Sequence, residues 1–221
     1  DSVGVIHSDH AGMGELANLY FHDIFTVDPT LNAAPILDLI NQVVTEEDNT
    51  KLCAPFTDKE ISDALFQIGP LKAPGTDGFP AHFYQRNWAV MKGEITVAVL
   101  EFFKTGIMLE GVNETSIVLI PKVPHPKELK DFCPISLCNV VFKLVSKVLA
   151  NRIKMILPEI ISDNQSAFVP GRLITDNALI AYELTHFLLN KRTGKDGYLA
   201  VKADMSKAYN RVEWNFLEAM L

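Results

Sequence analysis

Prolines and glycines cut this chain into short pieces, and that punctuation restricts it to brief helices and strands joined by ordered turns. Gly69-Pro70 stops one helical pattern. The stretch Leu71-Lys72-Ala73-Pro74-Gly75-Thr76-Asp77-Gly78-Phe79-Pro80 holds too many turn formers to be the interior of a helix or strand. Pro121 ends a β-branched run, Ser116 to Ile120, which reads as a strand, and Pro124, Pro126 and Pro134 mark the loop leading out of it. Between these breaks the apolar spacing is helical at residues 11–25, 82–103, 139–157, 175–189 and 206–221. Thr57-Asp58-Lys59-Glu60 is a capping box that opens a further helix through Leu65 and Ile68. The helix at 139–157, ended by Pro158, turns Val141, Leu144, Val145, Val148 and Ile156 to one side and Lys143, Lys147 and Lys154 to the other. Residues 198–205 alternate, with Leu199, Val201 and Ala203 opposite Lys202 and Asp204, and so predict a strand. The fold class expected is α+β, mostly helical with few short strands.

Composition narrows the function classes. With 48% hydrophobic and 21% charged residues the chain can bury a core, which excludes disorder and fibre. No apolar run approaches the roughly 18 residues of a membrane span, and the first residues have no signal-peptide pattern. Three cysteines, Cys53, Cys133 and Cys138, are an odd number without metal or redox spacing, which points to reduced thiols in a nuclear or cytoplasmic protein. The net charge of −7 argues against a polyanionic partner until it is divided along the chain. Residues 1–70 hold 12 acidic and 2 basic side chains, whereas residues 121–211 hold 14 basic and 8 acidic ones. The basic half is the part that could face nucleic acid, or it is a solvated surface.

Asp204 is the strongest chemical candidate. A carboxylate at a strand end, followed at once by a helix, is held in place and offers oxygen to a hard cation such as Mg²⁺; the same position also suits a turn former or helix cap. Tyr209, five residues on, is a ring that stands beside such a site or packs in a core. His7 and His10 lack further ligands, and His186 on a helix is a weak candidate for a base.

Here the residues become specific. Ala200-Val201-Lys202-Ala203-Asp204-Met205-Ser206-Lys207-Ala208-Tyr209-Asn210-Arg211-Val212-Glu213-Trp214 resembles the first catalytic motif of the reverse transcriptases of LINE-type non-LTR retrotransposons, of the kind abundant in plants. Lys72 to Phe79, Leu119 to Lys122, Asp131 to Asn139, Lys147 to Arg152 and Asn164 to Arg172 resemble that family's preceding blocks, in its order. The resemblance implies a partial right-hand polymerase: a helical leader at 1–50, fingers at 51–197, and the first palm strand and helix at 198–221. It implies an RNA-directed DNA polymerase with RNA template, DNA primer and deoxynucleoside triphosphate as partners. Asp204 would be catalytic and a ligand of two Mg²⁺ ions. Tyr209 would lie under the nucleotide sugar, Lys122 would meet the triphosphate, and Lys143, Lys147, Arg152, Lys154 and Arg172 would serve the nucleic-acid backbone.

Departures from the family pattern carry their own expectations. Cys133 stands where an Arg is usual, and a thiol cannot make a guanidinium's bidentate phosphate contact. Asn210 replaces an Asp, and Thr76 a Pro, which loosens a turn. The aromatic-x-Asp-Asp hairpin is not among these 221 residues, so the polypeptide alone is expected not to polymerise, and the strand at 198–205 to be poorly settled for want of partners. A non-catalytic RNA-binding module and the product of a decayed pseudogene are the alternative readings.

Overall fold

A computed structural model describes residues 7, 9–26, 34–191, 194, 197–204, 208 and 212–220. Its helices are α1 (His10–Phe25), α2 (Ala34–Leu37), α3 (Glu46–Cys53), α4 (Asp58–Gln67), α5 (Ala81–Arg86), α6 (Trp88–Thr105), α7 (Val140–Ile153), α8 (Leu157–Ile160), α9 (Ile174–Asn190) and α10 (Trp214–Met220). Two strands, β1 (Thr115–Pro121) and β2 (Phe132–Cys138), form one antiparallel pair, with a short 3₁₀ turn at Leu129–Asp131 before β2. No helix among the described residues is long and apolar enough to cross a membrane.

The chain divides into two compact units. One comprises Asp1–Gln42, Pro121–Cys133 and Thr185–Leu221; the other comprises Val43–Ile120 and Pro134–Leu184. The second holds the main core. Ile61, Ala64 and Leu65 of α4 meet Ala81 and Tyr84 of α5, Ile95 and Val99 of α6, and Val140, Leu144, Val145 and Val148 of α7. These are the apolar positions of the helical periodicity, and removing them from water drives the four helices together. Gln85 of α5 ties the end of α4 to that core, its Nε2 donating to the carbonyls of Leu65 and Ile68, both at 2.9 Å. Both lie at the end of α4, where the Leu65 carbonyl also accepts from Ile68 N–H at 3.1 Å.

Local chemistry explains where the elements start and stop. Thr57 and Glu60 form the expected capping box of α4, and Thr45 with Asp48 forms an equivalent one for α3. Gly106 closes α6 in the left-handed region, at φ 71°, with its N–H on Phe102 O. The pattern at 82–103 is broken at Asn87, whose side chain donates back to Phe83 O at 2.8 Å, so two helices stand where one is expected. α7 ends at Ile153, before its predicted end. Pro158 opens α8 instead of ending α7, because a missing N–H costs nothing in a first turn.

Two expectations are corrected. Residues 132–138 pair as β2 despite Pro134, which a strand with a free side tolerates. Residues 198–204 are not a strand. A strand is defined by its ladder, and the described residues provide partners only between β1 and β2, leaving Leu199 and Val201 exposed.

In the first unit, Asp9 caps α1 by accepting from Gly12 N–H at 2.7 Å. Tyr198 packs edge-on against Phe187 and lies under Lys191, whose Nζ is 3.5 Å from the ring centroid.

Candidate nucleic-acid interface

The predicted site residues fall into three groups: cations consumed by the fold, cations left near solvent, and the carboxylate at 204. Arg152 belongs to the first. Its amphipathic position on α7 faces the core side, and the residue is only 6% exposed. Nε donates to Glu60 Oε1 at 2.7 Å and Nη2 to Glu60 Oε2 at 3.1 Å. Nη1 donates to the carbonyls of Leu52 and Ala54, and Nη2 to that of Pro55 at 2.9 Å. The guanidinium also stacks on Phe56, 3.6 Å from the ring centroid. The planar fork gathers the connection between α3 and α4 in a way a lysine cannot. Expected at nucleic acid, Arg152 is therefore occupied within the protein.

Glu60 shows the electrostatic consequence. The Arg152 guanidinium, assisted by the Thr57 hydroxyl and N–H, holds its carboxyl down at about 2, against a partial burial that pushes the other way. The folded pKa lies below the ordinary 4.5, so this stabilisation is fully present above pH 4.5 and is lost as the pH falls toward about 2. With the Glu60 side chain 34% exposed, solvent screening reduces the contribution to about 1–2 kcal/mol. Urea midpoints measured from pH 6 down to about pH 3 should fall in the parent chain, and fall less steeply in Glu60→Gln.

Arg172 is consumed likewise. Its side chain, 17% exposed, donates to the carbonyls of Ser162, Gln165, Pro158 and Ile161 at 2.5–3.2 Å and pairs with Asp163 at 3.2 Å. One guanidinium thus folds the loop from 158 to 172 around itself. The same loop is pinned by Ser166, buried and donating to Asn177 Oδ1 at 2.9 Å, and by buried Val169.

Lys143 reaches across to Ala73 O at 2.7 Å and so holds the loop that follows Pro70. The main anchor of that loop is Asn139, which sequence reading did not single out. Buried at the start of α7, it accepts from Asp77 N–H at 3.2 Å and Thr76 Oγ1 at 3.4 Å, and donates to Gly111 O at 3.0 Å. Thr76 therefore gives the turn one bond of its own through its hydroxyl. Gly75 packs so closely on Asn139 that any side chain would collide. Tyr84 hydrogen-bonds Asp77, and burial together with that carboxylate pushes its phenol up to about 12.

The remaining cations are Lys122, Lys147 and Lys154. Lys122 is exposed just past the end of β1, its backbone N–H closing the hairpin on Asp131 O at 2.8 Å. Lys147 and Lys154 lie along α7 and its end, and burial, then the Lys154 charge, lowers the Lys147 ammonium. A neighbouring like charge is relieved by an anion between the two. Cys133 is half-buried in β2.

Asp204 is exposed and outside regular structure. Among the described residues no group of three or more His, Cys, Asp or Glu is placed to hold a metal ion. Tyr209 and Asn210 lie outside the described residues.

Comparison with known proteins bears on these residues. A family model described as "Reverse transcriptase (RNA-dependent DNA polymerase)" matches residues 120–220, from the end of β1 through Asp204. The chain is also 31% identical over 211 residues to the "Transposon TX1 uncharacterized 149 kDa protein" of Xenopus laevis. That alignment takes in 95% of this chain and 16% of the relative, so the chain spans about a sixth of the relative's length.

Proposed function

We propose that this chain is a reverse-transcriptase segment of the non-LTR retrotransposon type, supplying the fingers and the opening of the palm of an RNA-directed DNA polymerase. On this reading residues 1–50 are the leader, 51–197 the fingers and 198–221 the first palm segment. The observation that carries it is the family match over 120–220, which includes Lys122 and Asp204 in one continuous alignment. RNA template, DNA primer and deoxynucleoside triphosphate are the ligands this activity requires. Lys122 would meet the triphosphate, and Lys147 with Lys154 the strand backbone, as charge-assisted contacts to phosphate. Family members use a divalent metal, Mg²⁺ on the present reading. The described residues do not by themselves fit one, since Asp204 contributes a single exposed carboxylate. Tyr209 would read the nucleotide sugar.

The division of the cations sets the size of the effect to look for. With Lys143, Arg152 and Arg172 bonded inside the fold, three lysines remain for phosphate. For the two strand contacts, Lys147 and Lys154, at a slope of about −0.7 each, affinity should drop roughly sevenfold between about 50 and 200 mM salt. Filter binding of a single-stranded oligonucleotide tests this, and an affinity insensitive to salt would sink the proposal.

A further inference from the structure

Phe168 stands apart from the other large apolar residues among those described. It is 93% exposed, and it is the one non-glycine residue among the described residues with positive φ, at 66°. For a bulky L-residue that backbone region costs roughly 1–2 kcal/mol and persists only where the surroundings impose it. The surroundings here do impose it. Two residues before it, Ser166 is buried and bonded to Asn177; next to it, Val169 is buried; and Arg172 holds the carbonyls of Ser162 and Gln165 from below. Gly171, at φ 81°, completes the turn back toward Arg172. A loop folded this firmly could have hidden its aromatic ring, yet it extends the ring into water against the hydrophobic effect. The ring is almost wholly open to solvent, and its backbone is held by bonds on both sides of it. Those two properties present a stacking surface for a planar ligand at a fixed place in the loop.

We propose that Phe168 is a platform on which an unpaired base of the single-stranded template stacks. This rests on the nucleic-acid reading above and adds the residue that grips a base rather than a phosphate. Stacking on an aromatic ring is indifferent to sequence, as a template-handling surface must be, and it discriminates against duplex, where both faces of each base are already covered.

The test uses the 221-residue chain with a labelled single-stranded oligouridylate and a duplex of equal length. Phe168→Ala should weaken oligouridylate binding roughly tenfold at each salt concentration, leave the salt slope unchanged and spare the duplex, while Phe168→Tyr should stay within about twofold of the parent. Phe168→Asn separates function from structure: asparagine accepts positive φ, so the melting temperature should not fall, although binding weakens as in the alanine variant. Oligouridylate binding by the alanine and asparagine variants equal to the parent's would overturn the inference, and so would an equal loss on duplex or a lowered melting temperature in Phe168→Asn. If the parent chain binds no oligouridylate at any salt, the nucleic-acid reading itself fails and takes this inference with it.

Discussion

Replacing Arg152 with alanine should cost the fold about 3–5 kcal/mol, a large share of the roughly 5–15 kcal/mol that holds a typical domain together. The substitution removes every donor that satisfies the Leu52, Ala54 and Pro55 carbonyls and leaves the Glu60 carboxylate without its cation. The guanidinium that covers these part-buried acceptors is itself buried, so its removal leaves a gap in the fold as well as acceptors without their donors. Arg152→Lys should recover only part of it, since one ammonium cannot reach acceptors arranged around a planar fork. Glu60→Gln should cost less than either, because the amide oxygen still accepts and the carbonyls keep their donors. Chemical denaturation of the four chains gives the order directly. A midpoint for Arg152→Ala close to the parent's would mean that water replaces the guanidinium at little cost.

A methyl group at Gly75 should be nearly as damaging. The added Cβ would lie 2.1 Å from Asn139 Oδ1, 2.4 Å from Asn139 N and 2.5 Å from the Cys138 carbonyl carbon, and two of those atoms are backbone that cannot swing aside. Relief requires the loop to leave α7, and with it go the bonds from Asp77 N–H and Thr76 Oγ1 to Asn139. Overpacking combined with broken buried bonds predicts a loss of about 3 kcal/mol. Gly78→Ala, three residues away, meets no atom within 4 Å and pays only for its φ of 73°, about 1–2 kcal/mol. Amide exchange at 75–78 measured in both variants distinguishes the cases: the first should open the loop, the second should leave it closed.

Much of the helical framework was legible because its signals are local. The Thr57 to Glu60 capping box, the apolar stripe of α7 and the run before Pro121 each state their own geometry within a few residues, and α4, α7 and β1 follow them. β2 was missed because Pro134 reads as a loop until a neighbouring strand is known. The segment at 198–204 failed for the converse reason: alternation describes a strand's faces but does not supply its partner. The site residues divide along the same line. A basic residue looks alike in sequence whether it meets solvent or carbonyls, so the bonds that Arg152 and Arg172 make inside the fold are not legible there; the approach of their acceptors is a tertiary event. Asn139 and Glu60 carried almost no signal for the same reason. The one readable hint was that Glu60 already occupied a capping position, where a second role costs nothing extra.

The amide of Gln85 has a consequence for how this chain comes into being. By fastening the end of α4 from α5, it makes the stretch from α4 to α6 a set of near-neighbour contacts, the kind that close quickly because little chain must be ordered to bring them together. On a ribosome, where synthesis proceeds from the N-terminus at roughly 5–20 residues per second, that stretch emerges seconds before α7. A half-built core with its apolar side open must therefore wait for the last helix. Between the release of Thr105 and the arrival of Val140, the apolar side that α7 covers in the finished core stays open to water.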